Sequence, residues 1–203
     1  MSDKIDNPAT KKYYDHISIA KRTKQVAYFV PQLDKTAMLE QLIKNSDKKR
    51  IVVLTKSKRS ADEMSKYLTS KGILATAIHG NHRVEQKEEA SKAFNASKIN
   101  IIITTDMILK SLNLVKIEVI VNYDLPQAPD EYFVRLRHVD ETGEAISLVS
   151  KDEKSTLEAI ELMMKQEMSK EKLKDFAPTP TPQSKKPEQN PKEKKKKPRR
   201  IKK

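Results

Sequence analysis

The sequence predicts an α/β domain with a mostly parallel sheet of five or six strands and helices on both faces. Two observations carry this. Short runs such as Ile51–Thr55 and Asn100–Thr104 are apolar on both faces, so each strand needs cover on both sides. Helical patterns alternate with these runs, as right-handed crossovers between parallel strands require.

The elements follow in order. Val26–Val30 is a β-rich run. Leu33–Lys44 places Leu33, Ala37, Leu39 and Leu42-Ile43 at helical spacing. Ile51–Thr55 is a strand. Ser60-Ala-Asp-Glu63 has the form of a capping box, with a helix running to Lys71 and stopping at Gly72. Leu74–Ile78 is the next strand and Val84–Phe94 a charged amphipathic helix. Asn100–Thr104 is a strand, Met107–Leu112 a short helix and Ile117–Asn122 a further strand. Leu125–Pro129 is a loop, Asp130–Leu136 a helix and Glu144–Ser150 a strand. Ser155–Lys174 is predicted as one long helix with Leu157, Ile160 and Met164 on one face.

The chain has 203 residues, with 41 lysines and arginines against 28 acidic residues, a net charge of +13. From Ala177 to Lys203 there are eleven basic and two acidic residues, so this end carries +9 and the rest +4. Six of the ten prolines also lie there, which leaves little to bury. Three regions are therefore expected: a flexible leader over 1–12, a globular domain over 13–176 and a disordered basic tail over 177–203. The run Lys194-Lys195-Lys196-Lys197-Pro198-Arg199-Arg200 suits a polyanion, because phosphate contacts release counterions without reading bases.

Several chemistries are excluded or unsupported. Cysteine is absent, which removes disulfides, thiolate zinc sites and a cysteine nucleophile. Neither a P-loop GxxxxGK[ST], nor GxGxxG, nor HExxH occurs. His79 and His82 have no further metal ligand nearby in sequence. No apolar run reaches 18 residues and no secretory signal is evident, so a cytoplasmic protein without membrane contact is expected. In a parallel sheet, ligands sit at the carboxyl ends of strands. Here that edge carries Thr55-Lys56-Ser57, His79-Gly80-Asn81, Thr105-Asp106 and Tyr123-Asp124. Hydroxyls and amides at such positions suit phosphate oxygens, and they equally suit helix capping.

In sequence order, these stretches resemble the second (C-terminal) RecA-like domain of DEAD-box RNA helicases, the bacterial RhlE-like branch especially. Ile51-Val-Val-Leu-Thr-Lys-Ser-Lys58 looks like motif IV, Ala77-Ile-His-Gly-Asn81 like the AIHG block, and Ile101-Ile-Ile-Thr-Thr-Asp106 like the start of motif V. Val121-Asn-Tyr-Asp-Leu-Pro126 and Gly143-Glu-Ala-Ile-Ser-Leu-Val149 flank the place of motif VI. The resemblance implies a RecA-like fold and half of an engine in which two domains close on ATP and single-stranded RNA. It places Thr55, Lys56, Ser57, Gly80 and Thr105 against RNA phosphates. No P-loop or DEAD motif is present, and the chain begins where the linker into such a domain would begin.

Departures fall mainly on the nucleotide side. Where the family has A-R-G-L-D, this chain has Leu109-Lys110-Ser111-Leu112-Asn113, so Asn113 is a degenerate nucleotide-binding position. The motif VI region reads Val134-Arg135-Leu136-Arg137-His138-Val139-Asp140, about three residues shorter than the family's, leaving Arg135 and Arg137 as degenerate arginine-finger candidates. Val84 and Lys87 replace the family's Gln and Arg on the RNA side. The resemblance thus implies a binder of single-stranded RNA backbone without autonomous ATPase. No cofactor is expected on the chain alone, and ATP and Mg enter only with a first RecA-like domain. A second reading is the C-terminal half of a split ATP-dependent RNA helicase, partnered by a separately encoded first domain. A third is a protein-interaction domain whose tail alone meets RNA, a ribosome or another ribonucleoprotein. Replacing Arg135 is expected to leave RNA binding almost untouched.

Overall fold

The structure is a computed structural model and describes residues 17–47 and 49–179. The expected leader and residues 180–203 of the expected tail lie outside the described residues. A helical stretch over residues 17–22 leads into β1 (Lys24–Phe29). A 3₁₀ turn (Gln32–Asp34) opens α1 (Lys35–Lys44), followed by β2 (Ile51–Leu54), α2 (Lys58–Ser70), β3 (Thr76–Ala77) and α3 (Val84–Asn95). Next come β4 (Ile101–Thr104), the single turn α4 (Asp106–Leu109), β5 (Ile117–Asn122), α5 (Pro129–Leu136) and β6 (Val139–Val149). A second 3₁₀ turn (Lys151–Glu153), α6 (Lys154–Met164) and β7 (Ser169–Glu171) complete the order.

Seven strands form one sheet in the order β3-β4-β2-β5-β6-β1-β7, and the strand pairs are parallel. The predicted class holds, with seven strands instead of five or six. Alternation along the central strands divides the core in two. Val52, Leu54, Ile102 and Ile120 enter a cluster with α3, α4, α5 and α6. Ile51, Val53, Ile101, Ile103, Val119 and Val121 enter a second cluster with α1 and α2. Because side chains alternate with period 2, a run of consecutive apolar residues supplies both layers.

Four elements depart from the sequence reading. The strand expected over Glu144–Ser150 begins five residues earlier, at Val139, where it pairs with Ile117 of β5. Helix α2 starts at Lys58, where Ser57 Oγ accepts the Ser60 N–H at 3.1 Å. The cap is therefore Ser57 and not Ser60: the capping-box pattern lies one turn too far along. The predicted strand Leu74–Ile78 contracts to Thr76–Ala77, because at the sheet edge only β4 offers it hydrogen bonds. The predicted helix to Lys174 ends at Met164, where Lys165 turns left-handed at φ 53°. Glu161 Oε1 then accepts the Met168 N–H at 2.9 Å, and Met168 buries itself beside the Tyr132 hydroxyl. The chain continues as β7 against β1, an edge strand whose three residues are all exposed. Its charged side chains blunt further pairing along that edge.

Ser57→Ala is expected to lower stability by about 1 kcal/mol, the usual cost of a lost N-cap. Ser60→Ala removes only a hydroxyl that meets Ser57 Oγ and costs less. Denaturant midpoints of the two variants check this, and the reverse order would return the cap to Ser60.

Candidate functional site

Each loop at the carboxyl edge is placed by the strand before it. The chain leaves β2 toward one face through α2 and leaves β4 toward the other through α4. Neighbouring strands whose connections part in this way open a crevice between them. The crevice here is an open cleft of about 650 Å³, and Thr55, Lys56, Lys58, Gly80, Thr105 and Lys110 are among the residues lining it.

The five expected phosphate-binding residues have different surroundings. Thr55 is fully buried and its hydroxyl donates to Asp124 Oδ2 at 3.0 Å. The Lys56 N–H donates to the same oxygen at 2.9 Å, so Asp124 shapes the turn that follows β2. The Lys56 side chain is half exposed, and its Nζ lies 3.6 Å from Glu153 Oε1. Ser57 caps α2 and is not part of the cleft lining. Thr105 precedes α4 on the lining, and its hydroxyl makes no cap bond to that helix. For these hydroxyls, capping accounts for Ser57 and not for Thr105.

Gly80 is distinct. Unlike Gly72, whose φ of +77° favours glycine, Gly80 has no positive φ, and a Cβ there would meet nothing within 4 Å. Among the described residues its N–H has no hydrogen-bond partner. Neither backbone strain nor crowding calls for glycine here. What the missing side chain leaves is open space on the cleft wall, the condition for close approach of a ligand to the backbone.

The nucleotide candidates lie elsewhere. Arg135, expected as an arginine finger, is 1% exposed. Its Nε and Nη2 donate to both Asp106 oxygens at 2.6 and 2.7 Å, and Nη1 donates to Asn122 Oδ1 and the Asp124 carbonyl, both at 2.8 Å. At least four of its five N–H donors thus serve the domain's own groups. The finger expectation is corrected to that of a buried clamp. Arg137 is exposed at the end of α5, and Asn113 is exposed beyond α4, where its carbonyl accepts from Asn95 Nδ2 at 2.7 Å. Neither is part of the cleft lining.

A second buried ion pair adjoins the cleft. Lys35 is fully buried, and its ammonium donates to Glu153 and, at 2.8 Å, to the Tyr123 carbonyl. Glu153 also accepts the N–H groups of Leu125 and Ser150 and the Ser150 hydroxyl, at 3.0, 3.1 and 3.0 Å. Burial pushes the Glu153 carboxyl up, but the hydrogen bond and charge of Lys35, with these backbone donors, outweigh it and hold the group below its usual range. Burial dominates at Lys35 and lowers its ammonium despite the carboxylate. Sequence reading missed Lys35 and Glu153, and it placed Asp106 and Asp124 at the strand-end edge without their roles as partners of Arg135, because these pairings are recognisable only by contacts between separate segments. Lys58 and Lys110 had a visible signal, since each lies within a few residues of a strand end.

The helicase conserved C-terminal domain family matches residues 34–139, which span the cleft lining, the Arg135–Asp106 pair and Lys35, but not its partner Glu153. This chain belongs to that family. The helicase C-terminal domain is 35% identical over 124 residues to a probable ATP-dependent RNA helicase, vasa-like, of Penaeus vannamei, covering 59% of this chain and 18% of the relative. It is 25% identical over 169 residues to the ATP-dependent rRNA helicase RRP3 of Encephalitozoon cuniculi, covering 82% of this chain and 39% of the relative. The chain thus spans well under half the length of these curated relatives. Its fold matches the crystal structure of the E. coli DEAD-box protein SrmB bound to RraA, with a TM-score of 0.74 and 21% identity, covering 78% of this chain and 96% of that one.

Two outcomes follow for this helicase domain. Arg135→Ala strands Asp106, Asn122 and a carbonyl together, and is expected to cost about 3–5 kcal/mol of unfolding free energy. Arg135→Lys rescues little, since one ammonium cannot span both carboxylate oxygens and the strand end. Denaturant melts measure both. The folded-state value of Glu153 is depressed, so its contribution is full above its usual 4.5 and is lost as the pH falls through the lower value. Glu153→Gln starts less stable and flattens this acid limb in a stability-against-pH series.

Proposed function

We propose that this domain holds the phosphate backbone of single-stranded RNA in the cleft between the ends of β2 and β4 and does not turn over ATP by itself. The observation that carries the reading is the Gly80 wall, an open backbone whose N–H has no partner among the described residues, flanked on the lining by Lys56, Lys58 and Lys110. Backbone amides and lysines recognise phosphate oxygens without reading bases. The names of the curated relatives supply the class of nucleic acid, since both are called RNA helicases. The engagement of Arg135 by Asp106 supports the second half of the reading, because a guanidinium held in this way has no geometry for a transferring phosphoryl group. Placement in the bacterial RhlE-like branch and the degeneracy of motifs V and VI belong to this proposal, as does a cytoplasmic location.

A second reading is also supported by those names, which describe ATP-dependent proteins longer than this chain. On that reading a separately encoded first RecA-like domain supplies the P-loop, ATP and Mg, and this chain completes the engine.

Fluorescence anisotropy with a single-stranded oligonucleotide, across a salt series, tests the cleft. Lys56→Ala is expected to weaken RNA binding and reduce the log–log salt slope by about one. Gly80→Ala is expected to weaken binding with the slope and the melting temperature unchanged, since it fills ligand space and removes no charge. Crosslinks from the full chain confined to residues 180–203 overturn the cleft, and so does ATP hydrolysis by this chain alone. RNA-stimulated turnover on adding a first domain favours the second reading.

A further inference from the structure

The turn that carries Gly80 is held in an unusual way. The His79 N–H donates to His82 Nδ1 at 3.1 Å, and the Asn81 N–H donates to His79 Nδ1 at 3.4 Å. The amides on either side of Gly80 therefore end on imidazole nitrogens, while the Gly80 amide between them has no partner among the described residues. The His82 N–H closes the turn on the His79 carbonyl at 3.0 Å, and the two rings lie 4.2 Å apart. His82 Nδ1 also lies 3.3 Å from that carbonyl, so it accepts the shorter contact from the His79 N–H in the tautomer that carries its proton on Nε2.

These contacts fit one tautomer of the His79 ring. A ring nitrogen accepts a hydrogen bond only through its lone pair. Because Nδ1 faces an N–H, the proton sits on Nε2, which lies 2.9 Å from Asp62 Oδ1 on α2 and donates to it. Asp62 thus sets the orientation of the buried His79 ring, in the way a carboxylate commonly fixes the second nitrogen of a working histidine. Lys58 on the same helix donates to Asn81 Oδ1 at 3.2 Å, a further tie from α2 to the turn.

We propose that His82 and His79, the latter oriented by Asp62, are positioning residues that occupy the flanking amides and leave the Gly80 N–H as a preset donor to one phosphate oxygen. This rests on the reading of the cleft as the site of RNA backbone binding and assigns the turn its part in it. Without the imidazole acceptors, the His79 and Asn81 amides need other partners, and the turn is left with the His82 N–H to His79 carbonyl bond and the exposed Lys58–Asn81 contact to hold Gly80 on the cleft wall. A backbone amide carries no net charge, so it strengthens phosphate binding without counterion release.

The discriminating variant is His82→Ala, since His82 is only half buried and the fold tolerates its loss more readily than that of buried His79. With a single-stranded oligouridylate and the full chain, His82→Ala is expected to weaken binding about tenfold, the scale of one hydrogen bond to a charged group. Its salt slope stays that of the parent, unlike Lys56→Ala. His82→Asn, whose side-chain oxygen can stand where Nδ1 stands, is expected to restore most of the affinity. In amide hydrogen–deuterium exchange, RNA is expected to protect Gly80 in the parent and in His82→Asn, and not in His82→Ala. Parent-like affinity of His82→Ala, or failure of His82→Asn to rescue a weakened His82→Ala, overturns the positioning role while leaving the cleft intact. Absence of Gly80 protection in an RNA-bound parent overturns it as well. A parent protein whose RNA contacts avoid the cleft altogether fails the underlying reading instead, so the two failures are told apart.

Discussion

The guanidinium of Arg135 is the interaction on which the site edge depends. It projects from α5 and binds the carboxylate that opens α4, the amide that ends β5 and the carbonyl two residues later. These groups come from a helix, a strand and the loop that follows it. A buried charge of this kind is stable only if its partners are complete, and the bidentate pairing with Asp106 supplies that geometry. The cleft walls then inherit the rigidity. Asp106 follows Thr105 directly, and Asp124 turns its backbone carbonyl to Arg135 while its side chain holds Thr55 and Lys56.

The second ion pair extends the same frame across the sheet. Lys35 comes from the start of α1 after β1, and Glu153 from the turn after β6, so their contact ties together strands that are neighbours in the sheet and distant in sequence. Glu153 is also the nearest carboxylate to Lys56. The lysines of the cleft are all met by modest partners: Lys56 by Glu153 at 3.6 Å, Lys110 by Glu131 at 3.9 Å and Lys58 by the Asn81 amide oxygen at 3.2 Å. Half-exposed pairs of this sort are worth at most about 1 kcal/mol. A phosphate entering the cleft therefore displaces little when it draws these ammonium groups away. The interior pairs hold the frame, and the outer lysines stay available to a ligand.

The clarity of each prediction followed its physical origin. Strands β2, β4 and β5 were legible because a run such as Ile101-Ile102-Ile103 has few places in a fold other than between two layers. The edge elements were not. Leu74–Ile78 has strand composition but only one neighbouring strand to bond with, and the stretch after Met164 has helical composition but is drawn away by the burial of Met168 and the docking of β7 on β1. At the site, Lys56, Gly80 and Thr105 could be picked out because strand ends in a parallel sheet face one crevice. The roles of Thr55, Ser57 and Arg135 could not, since a hydroxyl or a guanidinium reads the same in sequence whether it faces a ligand or its own fold.

The sequence by itself determined the layer architecture, the edge at which the cleft opens and the kinship with helicase C-terminal domains, because alternation, burial demand and motif order are local properties of the chain. Tertiary structure alone decided which polar groups at that edge are engaged and which remain open. Arg135 meets Asp106 and Lys35 meets Glu153 across separations of 29 and 118 residues. No local pattern encodes such pairings, since they are fixed only when the strands assemble and every buried charge must find its counterpart.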